Sequence, residues 1–341
     1  MTVALDSLPN APTQAAVPAA PGRSCPLHYR YAPEVFRGDA PPHLQGLEVL
    51  YVVGGLYGNV LALEQVLSLF AQESGRKALV FNGDFHWFDA DPAVFDRVQQ
   101  GVLAHTALRG NVETELAEED PHTDAGCGCA YPEWVGDGVV ERSNRILARL
   151  RQATTPSQRK ALRALPPWLR ADVGPLRLGL VHGDATSLAG WGFAQEHLQS
   201  PAHRADVAGW IDRAGVDAFA CTHTCLPVFQ ALRTPQRSAA GQGAAWILNN
   251  GAAGMPNFRG DPAGLVTRIA VAPSASAAVR FTVPLGQGVV AEALALNIDP
   301  VAAREAFRAQ WPAGSDADLS YFDRIVHGPS YDVAQAVREL E

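Results

Sequence analysis

Lysine is almost missing from this sequence: only Lys77 and Lys160 occur, so nearly all of its 27 basic residues are arginine. Neither lysine follows a glycine, which excludes the GxxxxGK[ST] phosphate-binding loop. The GxSxG and HExxH patterns are also missing. Basic residues are outnumbered by 35 acidic ones for a net charge of −8, a balance that disfavours a broad nucleic-acid footprint. Cysteine is scarce and odd in number, five in 341 residues, which does not suggest a secreted disulfide framework. No apolar run approaches the roughly eighteen residues that a membrane-spanning helix needs. Residues 1–20 lack the basic-then-apolar pattern of a signal peptide. What is present, 47% hydrophobic and 18% charged residues, is enough for a sizeable core. A soluble, cytoplasmic, acidic globular protein with no membrane association is expected.

Residues 1–45 read as an N-terminal extension, rich in Pro and Ala up to Pro21, with a mobile tail over the first twenty. Tyr29, Tyr31 and Phe36 are costly to expose and are expected to lie across the domain. From Leu47 strand and helix signals alternate. Leu47–Val53 and Ala78–Phe81 read as buried strands, His105–Arg109 as a third, with helices over Val60–Phe70 and Pro92–Leu103 between them. This βαβαβ start implies a mainly parallel α/β sheet with its sites at the carboxyl ends of the strands. Asp137–Leu165 reads as helical and Arg-rich. Strand signals then return at short spacing, with little helix between, at Leu176–Val181, Val216–Cys221, Val228–Leu232, Ala245–Leu248, Leu265–Val271 and Ala278–Val283. Beyond Gly288 the pattern turns helical, over Val289–Leu296 and Pro300–Gln310. Gly286-Gln287-Gly288 mimics a dinucleotide fingerprint, but no second strand is expected after it, so it reads as a turn leaving the domain.

The polar residues at the strand ends carry the chemistry. Asp84, Asn111, His182 and His223 each follow an apolar strand, so a parallel-type sheet brings them to one edge. One carboxylate, one amide oxygen and two imidazoles suit a divalent cation. Taken singly, each has a plainer reading: Gly-Asp and Gly-Asn are ordinary turn chemistry, and a lone histidine is more often no ligand. The set of four favours a metal site.

Gly54–Asn59 with its helix, Asn82-Gly83-Asp84, Arg109-Gly110-Asn111, Val181-His182-Gly183 and Thr222-His223-Thr224-Cys225-Leu226-Pro227 stand in the order of the calcineurin-like metallophosphoesterases. Over about 46–285 the chain resembles this superfamily, and most of all its small bacterial phosphodiesterase branch. Asn249–Pro256 is similar to that branch's Asn-Pro-Gly-Ser-x-Gly-x-Pro turn. The resemblance implies a four-layer α-β-β-α sandwich over 46–285, with 286–341 as a C-terminal helical extension. It also implies a two-metal centre that hydrolyses phosphate mono- or diesters with a metal-bound water. One metal site maps onto Asp84, Asn111, His182 and His223, with His182, His223 and Asn111 as the catalytic set. The other maps onto Gly55, Tyr57 and Cys225, where the family has Asp, His and His. The histidine of the family's Gly-Asn-His is Val112 here, with Glu113 surviving as its acidic neighbour.

Every departure falls on one metal and on the acid/base group. The expected state is therefore mononuclear, with one divalent cation per chain, Mn, Zn or Fe. Loss of a general acid costs about 10²–10⁴ in rate, so Val112 alone predicts a poor phosphodiesterase. His86 is a candidate replacement ligand, weighed against a surface-loop role, and Tyr57 is expected to plug the lost subsite with its ring. Arg109 is an accessory candidate for phosphate, weighed against a structural strand-end role. Cys225, together with Cys127 or Cys129 of the Gly-rich loop, is a candidate for a thiolate-modified site, because thiolates favour softer metals. Cys221 is expected as a small buried residue. Three functions stay open: a divergent phosphoesterase, a catalytically impaired binding or regulatory scaffold, and Zn or Fe chemistry at a Cys-containing site. The partner under the first is a phosphate ester. Under any of them the two extensions offer a surface to a protein partner or a second copy.

Overall fold

The computed structural model describes residues 26–38, 42–118 and 136–340. In chain order it begins with β1 (Leu44–Leu47), β2 (Val49–Val53), α1 (Val60–Gln72), β3 (Lys77–Asn82), α2 (Pro92–Leu103), β4 (Thr106–Leu108) and α3 (Asn111–Ala117). The middle supplies α4 (Asp137–Ala153), α5 (Pro156–Arg163), β5 (Trp168–Val173), β6 (Leu176–Val181), α6 (Pro201–Ala214), β7 (Ala218–Cys221), β8 (Pro227–Leu232), α7 (Pro235–Ala239) and β9 (Ala245–Asn250). The last part adds β10 (Gly264–Ala270), β11 (Val279–Gly286), β12 (Val289–Leu296), α8 (Pro300–Gln310), α9 (Asp316–His327) and β13 (Val337–Arg338).

Two sheets stack face to face, one of order β11-β12-β10-β2-β3-β4 and one of order β1-β5-β6-β7-β9-β8-β13. Strand β2 shows why both faces of its sheet are covered. Leu50 and Val52 enter the core between the sheets, against Leu178, Leu180 and Ala220. Val49, Tyr51 and Val53 point the other way, into a core with Leu63 and Val66 of α1, Phe95 of α2 and Ile146 of α4. A strand buried on both sides reads as continuous apolar sequence. The far face of the second sheet packs Val181, Phe219 and Cys221 on Val207 and Ile211 of α6. These are the four layers of an α-β-β-α sandwich.

Within this frame β2, β3 and β4 are parallel neighbours, as are β6, β7 and β9. Their carboxyl ends meet at one edge of the two sheets, where the chemistry-bearing loops begin.

Three readings of the sequence are corrected. Val289–Leu296 is a strand rather than a helix, and it lies inside a sheet, paired with β10 on one side and β11 on the other. Its Ala and Leu residues favour helices, but long-range pairing overrides that preference. Gly286-Gln287-Gly288 accordingly does not leave the domain. Gly286 pairs with Val289 across a two-residue hairpin in which Gln287 and Gly288 both have positive φ, 52° and 79°. The stretch between β6 and β7 was expected to hold little helix and instead carries the 14-residue α6. Ser200 caps that helix, Pro201 starts it, and left-handed Gly215 ends it.

Residues 26–38 lie across the sandwich. The Tyr29 hydroxyl donates to the Glu115 carboxylate, and Phe36 packs edge-on against Phe219 at 5.1 Å. The tail expected over the first twenty residues lies outside the described residues, as do Cys127 and Cys129. No helix among the described residues is long and apolar enough to cross a membrane.

Candidate metal centre

His182 leaves the end of β6 fully buried, and its ring is fixed from behind. Nδ1 lies 2.9 Å from the Asn82 carbonyl, an acceptor only, so this nitrogen carries the proton. Nε2 then turns a lone pair toward two acceptor oxygens, Asn111 Oδ1 at 3.0 Å and Asp84 Oδ2 at 3.3 Å, with His223 Nδ1 beside them at 3.1 Å. Electron-pair donors so close together repel unless a cation or a proton sits among them. Asp84, His182 and His223 are the one group of His, Cys, Asp and Glu side chains among the described residues that could hold a metal ion, their donor atoms lying within 4.8 Å of one another. The amide oxygen of Asn111 completes a mixed O/N set suited to a divalent cation.

The loops hold this set rigidly. Asp84 has φ of 49°, a left-handed conformation uncommon for a non-glycine residue. Its Oδ1 accepts from the Val112 N–H at 3.1 Å, and its own N–H donates to Glu113 Oε2 at 2.8 Å. The same Glu113 oxygen accepts from Gly110 N–H at 2.8 Å, and Oε1 from His86 N–H at 3.2 Å. One buried carboxylate therefore ties the β3 and β4 loops together, as outer partners of metal ligands do.

Electrostatics follow the geometry. Burial pulls His182 down, but the Asp84 carboxylate outweighs it and leaves its pKa raised. Burial and then the neighbouring His182 push His223 down to about 3. Burial would raise Asp84, but His182 and its hydrogen bond hold it below the ordinary range. Burial, then the Asp84 charge, raise Glu113. In the cation-free protein one proton on His182 relieves the crowding, and His223 stays neutral.

No protein-family model matches the sequence, and no curated protein does either. Among solved structures, a metallophosphoesterase from Sphaerobacter thermophilus superposes with a TM-score of 0.52, covering 82% of this chain and 100% of its own at 14% identity. A hypothetical protein from Pyrococcus horikoshii OT3 superposes with a TM-score of 0.55, over 83% and 99% of the two chains at 13% identity. This chain has the metallophosphoesterase fold.

Within this metallophosphoesterase fold the other half of the strand edge is filled by Tyr57 and Cys225, which pair with each other. Gly55 has φ of 63°, and a Cβ there would stand 3.0 Å from the Tyr57 ring. The ring thus occupies the space that an acidic side chain at position 55 would need. Tyr57 is itself left-handed, φ 55°, and 5% exposed, with its ring 6.0 Å from Phe88. Its hydroxyl lies 2.8 Å from Cys225 Sγ, and Cys225 also has positive φ, 61°. Burial raises the Tyr57 hydroxyl, helped by Cys225 and Asp84, and burial likewise raises the Cys225 thiol. Both groups stay protonated and satisfy each other.

The remaining candidates are placed apart from the four donors. His86 is fully buried, its Nδ1 2.5 Å from Asp89 Oδ2 and its ring stacked on Phe95 at 3.7 Å. It lies outside the metal-competent group and is no surface-loop residue. Arg109 donates to the Arg163 carbonyl at 3.3 Å. Val112 is 1% exposed and packs into the helix-facing core. Sequence reasoning passed over Asn82, which fixes the His182 tautomer, and Trp191, whose ring stands edge-on to His223 at 5.7 Å. It also passed over Asn250, whose Nδ2 donates to the carbonyls of Gly54 and Leu265 and anchors the Gly54 loop. Asn82 and Asn250 both lie in motifs that could have flagged them, and Trp191 does not.

Proposed function

We propose that this protein is a metal-dependent phosphoesterase working at one cation, slow for its fold, acting on a phosphate mono- or diester. The observation that supports this reading is the convergence of four electron-pair donors, Asp84, Asn111, His182 and His223, at one strand edge. These residues would hold the cation. When bound, a divalent cation supplies Lewis acidity toward a phosphoryl oxygen and lowers the pKa of water. The chain's own residues do the positioning. Asn82 holds the proton of His182 at Nδ1, which leaves Nε2 free as a ligand atom. Glu113 and the Val112 N–H fix Asp84 from both sides. Val112 offers no proton to a leaving group, and this makes slow turnover the expectation.

A second reading, a phosphate-ester-binding protein without turnover, is favoured by that same apolar Val112. Elemental analysis of the purified protein, followed by turnover of a generic phosphodiester with Mn²⁺ or Zn²⁺, tests both. One metal per chain with turnover lost in Asp84→Asn and His182→Ala supports the phosphoesterase. Full activity in those variants would overturn it, and phosphate binding without any turnover favours the second reading.

A further inference from the structure

A phosphate ester carries one to two negative charges. One divalent cation beside the Asp84 carboxylate offers only one net positive charge to meet them. Gly55, Tyr57 and Cys225 add none, since Tyr57 and Cys225 are protonated and bonded to each other. Another cationic group is nevertheless close by. Arg324 of α9 reaches the same loops: its Nη2 donates to the Cys225 carbonyl at 2.7 Å and the Pro256 carbonyl at 3.0 Å, and its Nε to Pro256 at 3.2 Å. Those partners are neutral carbonyls, so the guanidinium is oriented but its charge is not cancelled. Among the described residues no carboxylate pairs with it and its Nη1 makes no hydrogen bond, and the side chain is half-buried. Its charge opposes the upward push of burial on both Tyr57 and Cys225, so it is felt inside the altered half.

We propose that Arg324 is a phosphate-binding residue, its anchored guanidinium supplying at the Tyr57–Cys225 side the positive charge that the site otherwise lacks. The inference rests on the phosphoesterase reading and names the side chain that meets its substrate's anionic oxygens. A planar guanidinium with Nε and Nη2 held and Nη1 left to donate suits this role, because little side-chain freedom is lost when an oxygen binds.

The test is calorimetric titration of inorganic phosphate into the full, Mn²⁺-loaded chain, with metal content and thermal melting measured on every variant. Arg324→Met is expected to weaken phosphate binding about 10- to 100-fold with metal content unchanged. Arg324→Lys keeps the charge and is expected to recover much of that loss. If Arg324→Met does not fold, Arg324→Gln, which keeps an amide donor for the Cys225 carbonyl, takes its place with the same outcomes. Wild-type affinity in the uncharged variant, or equal losses in the Lys and uncharged variants, would overturn the role of Arg324. Failure of the wild type to bind phosphate would instead sink the phosphoesterase reading itself.

Discussion

Two halves of one strand edge meet the same backbone frame with opposite chemistry. In the Asp84–His182 half, acceptors face acceptors and only a cation or proton reconciles them. In the Tyr57–Cys225 half, the side chains satisfy each other and ask for nothing. Yet the uncommon left-handed backbone persists on both sides, at Asp84 and equally at Tyr57 and Cys225. Such residues cost about 1–3 kcal/mol each and persist only where the surroundings over-determine them. The comparison teaches that the loops are held by the sandwich rather than by the ligands. Hydrogen bonds from Gly254 N–H to the Gly55 carbonyl and from Tyr57 N–H to the Asp84 carbonyl keep the frame whatever fills it.

The largest effect is expected on the crowded side. His182→Ala should lower metal affinity by at least about 100-fold and abolish turnover, read by elemental analysis and a phosphodiester assay. Metal retained at wild-type stoichiometry would show that the two halves do not differ as described. The converse change rebuilds the other half: Gly55→Asp, Tyr57→His and Cys225→His together should raise metal content from about one to about two per chain. Asp and His tolerate the left-handed backbone at these positions better than most residues. Failure to gain metal in a folded triple variant would mean that the frame has drifted.

Glu113→Gln should sharpen the contrast less severely. It unsettles the clamp on Asp84 and Gly110, lowering metal affinity about 10- to 100-fold and stability by about 1–3 kcal/mol, checked by a thermal melt. The pH response separates the halves again. The proton on His182, held above the ordinary range by Asp84, stabilises the cation-free protein fully below pH of about 6.5. That stability is lost as pH rises through the raised pKa. A bound cation displaces the same proton, so apparent metal affinity should climb with pH across that window in a metal-competition titration. Cys225 should behave conversely, resisting alkylation, followed by mass spectrometry, until pH passes the ordinary thiol range. Smallest of all is Tyr57→Phe. It should leave metal content unchanged and cost about 1 kcal/mol in a thermal melt.

Much of this was legible in the sequence because strand-end chemistry is local. Asp84, Asn111, His182 and His223 each follow an apolar strand, and strand order alone brings them to one edge. The Tyr57 ring takes the space beside Gly55, where any side chain would meet it at 3.0 Å. Helix α6 carried its own start and stop in Ser200-Pro201 and Gly215, signals outweighed by the strand-like runs on either side. Val289–Leu296 was not legible. Buried on both faces, it has no period of two or of 3.6 to tell strand from helix. Nor was His86: a histidine beside Trp87 and Phe88 gives no local sign that Asp89 and Phe95 will enclose it.

The sequence by itself determined the layered α/β architecture and the four donors, because alternation of apolar runs with turn residues encodes both. The tertiary structure alone decided which atoms face which. It turned the His182 lone pair onto the other donors through the Asn82 carbonyl, made Glu113 the clamp between two loops, and brought Arg324 from α9 to the carbonyls of Cys225 and Pro256. Those contacts span 29 residues for Glu113 with Asp84 and 99 for Arg324 with Cys225. At such separations no periodicity or spacing carries information, and only the packing of the two sheets and their helices selects the partner.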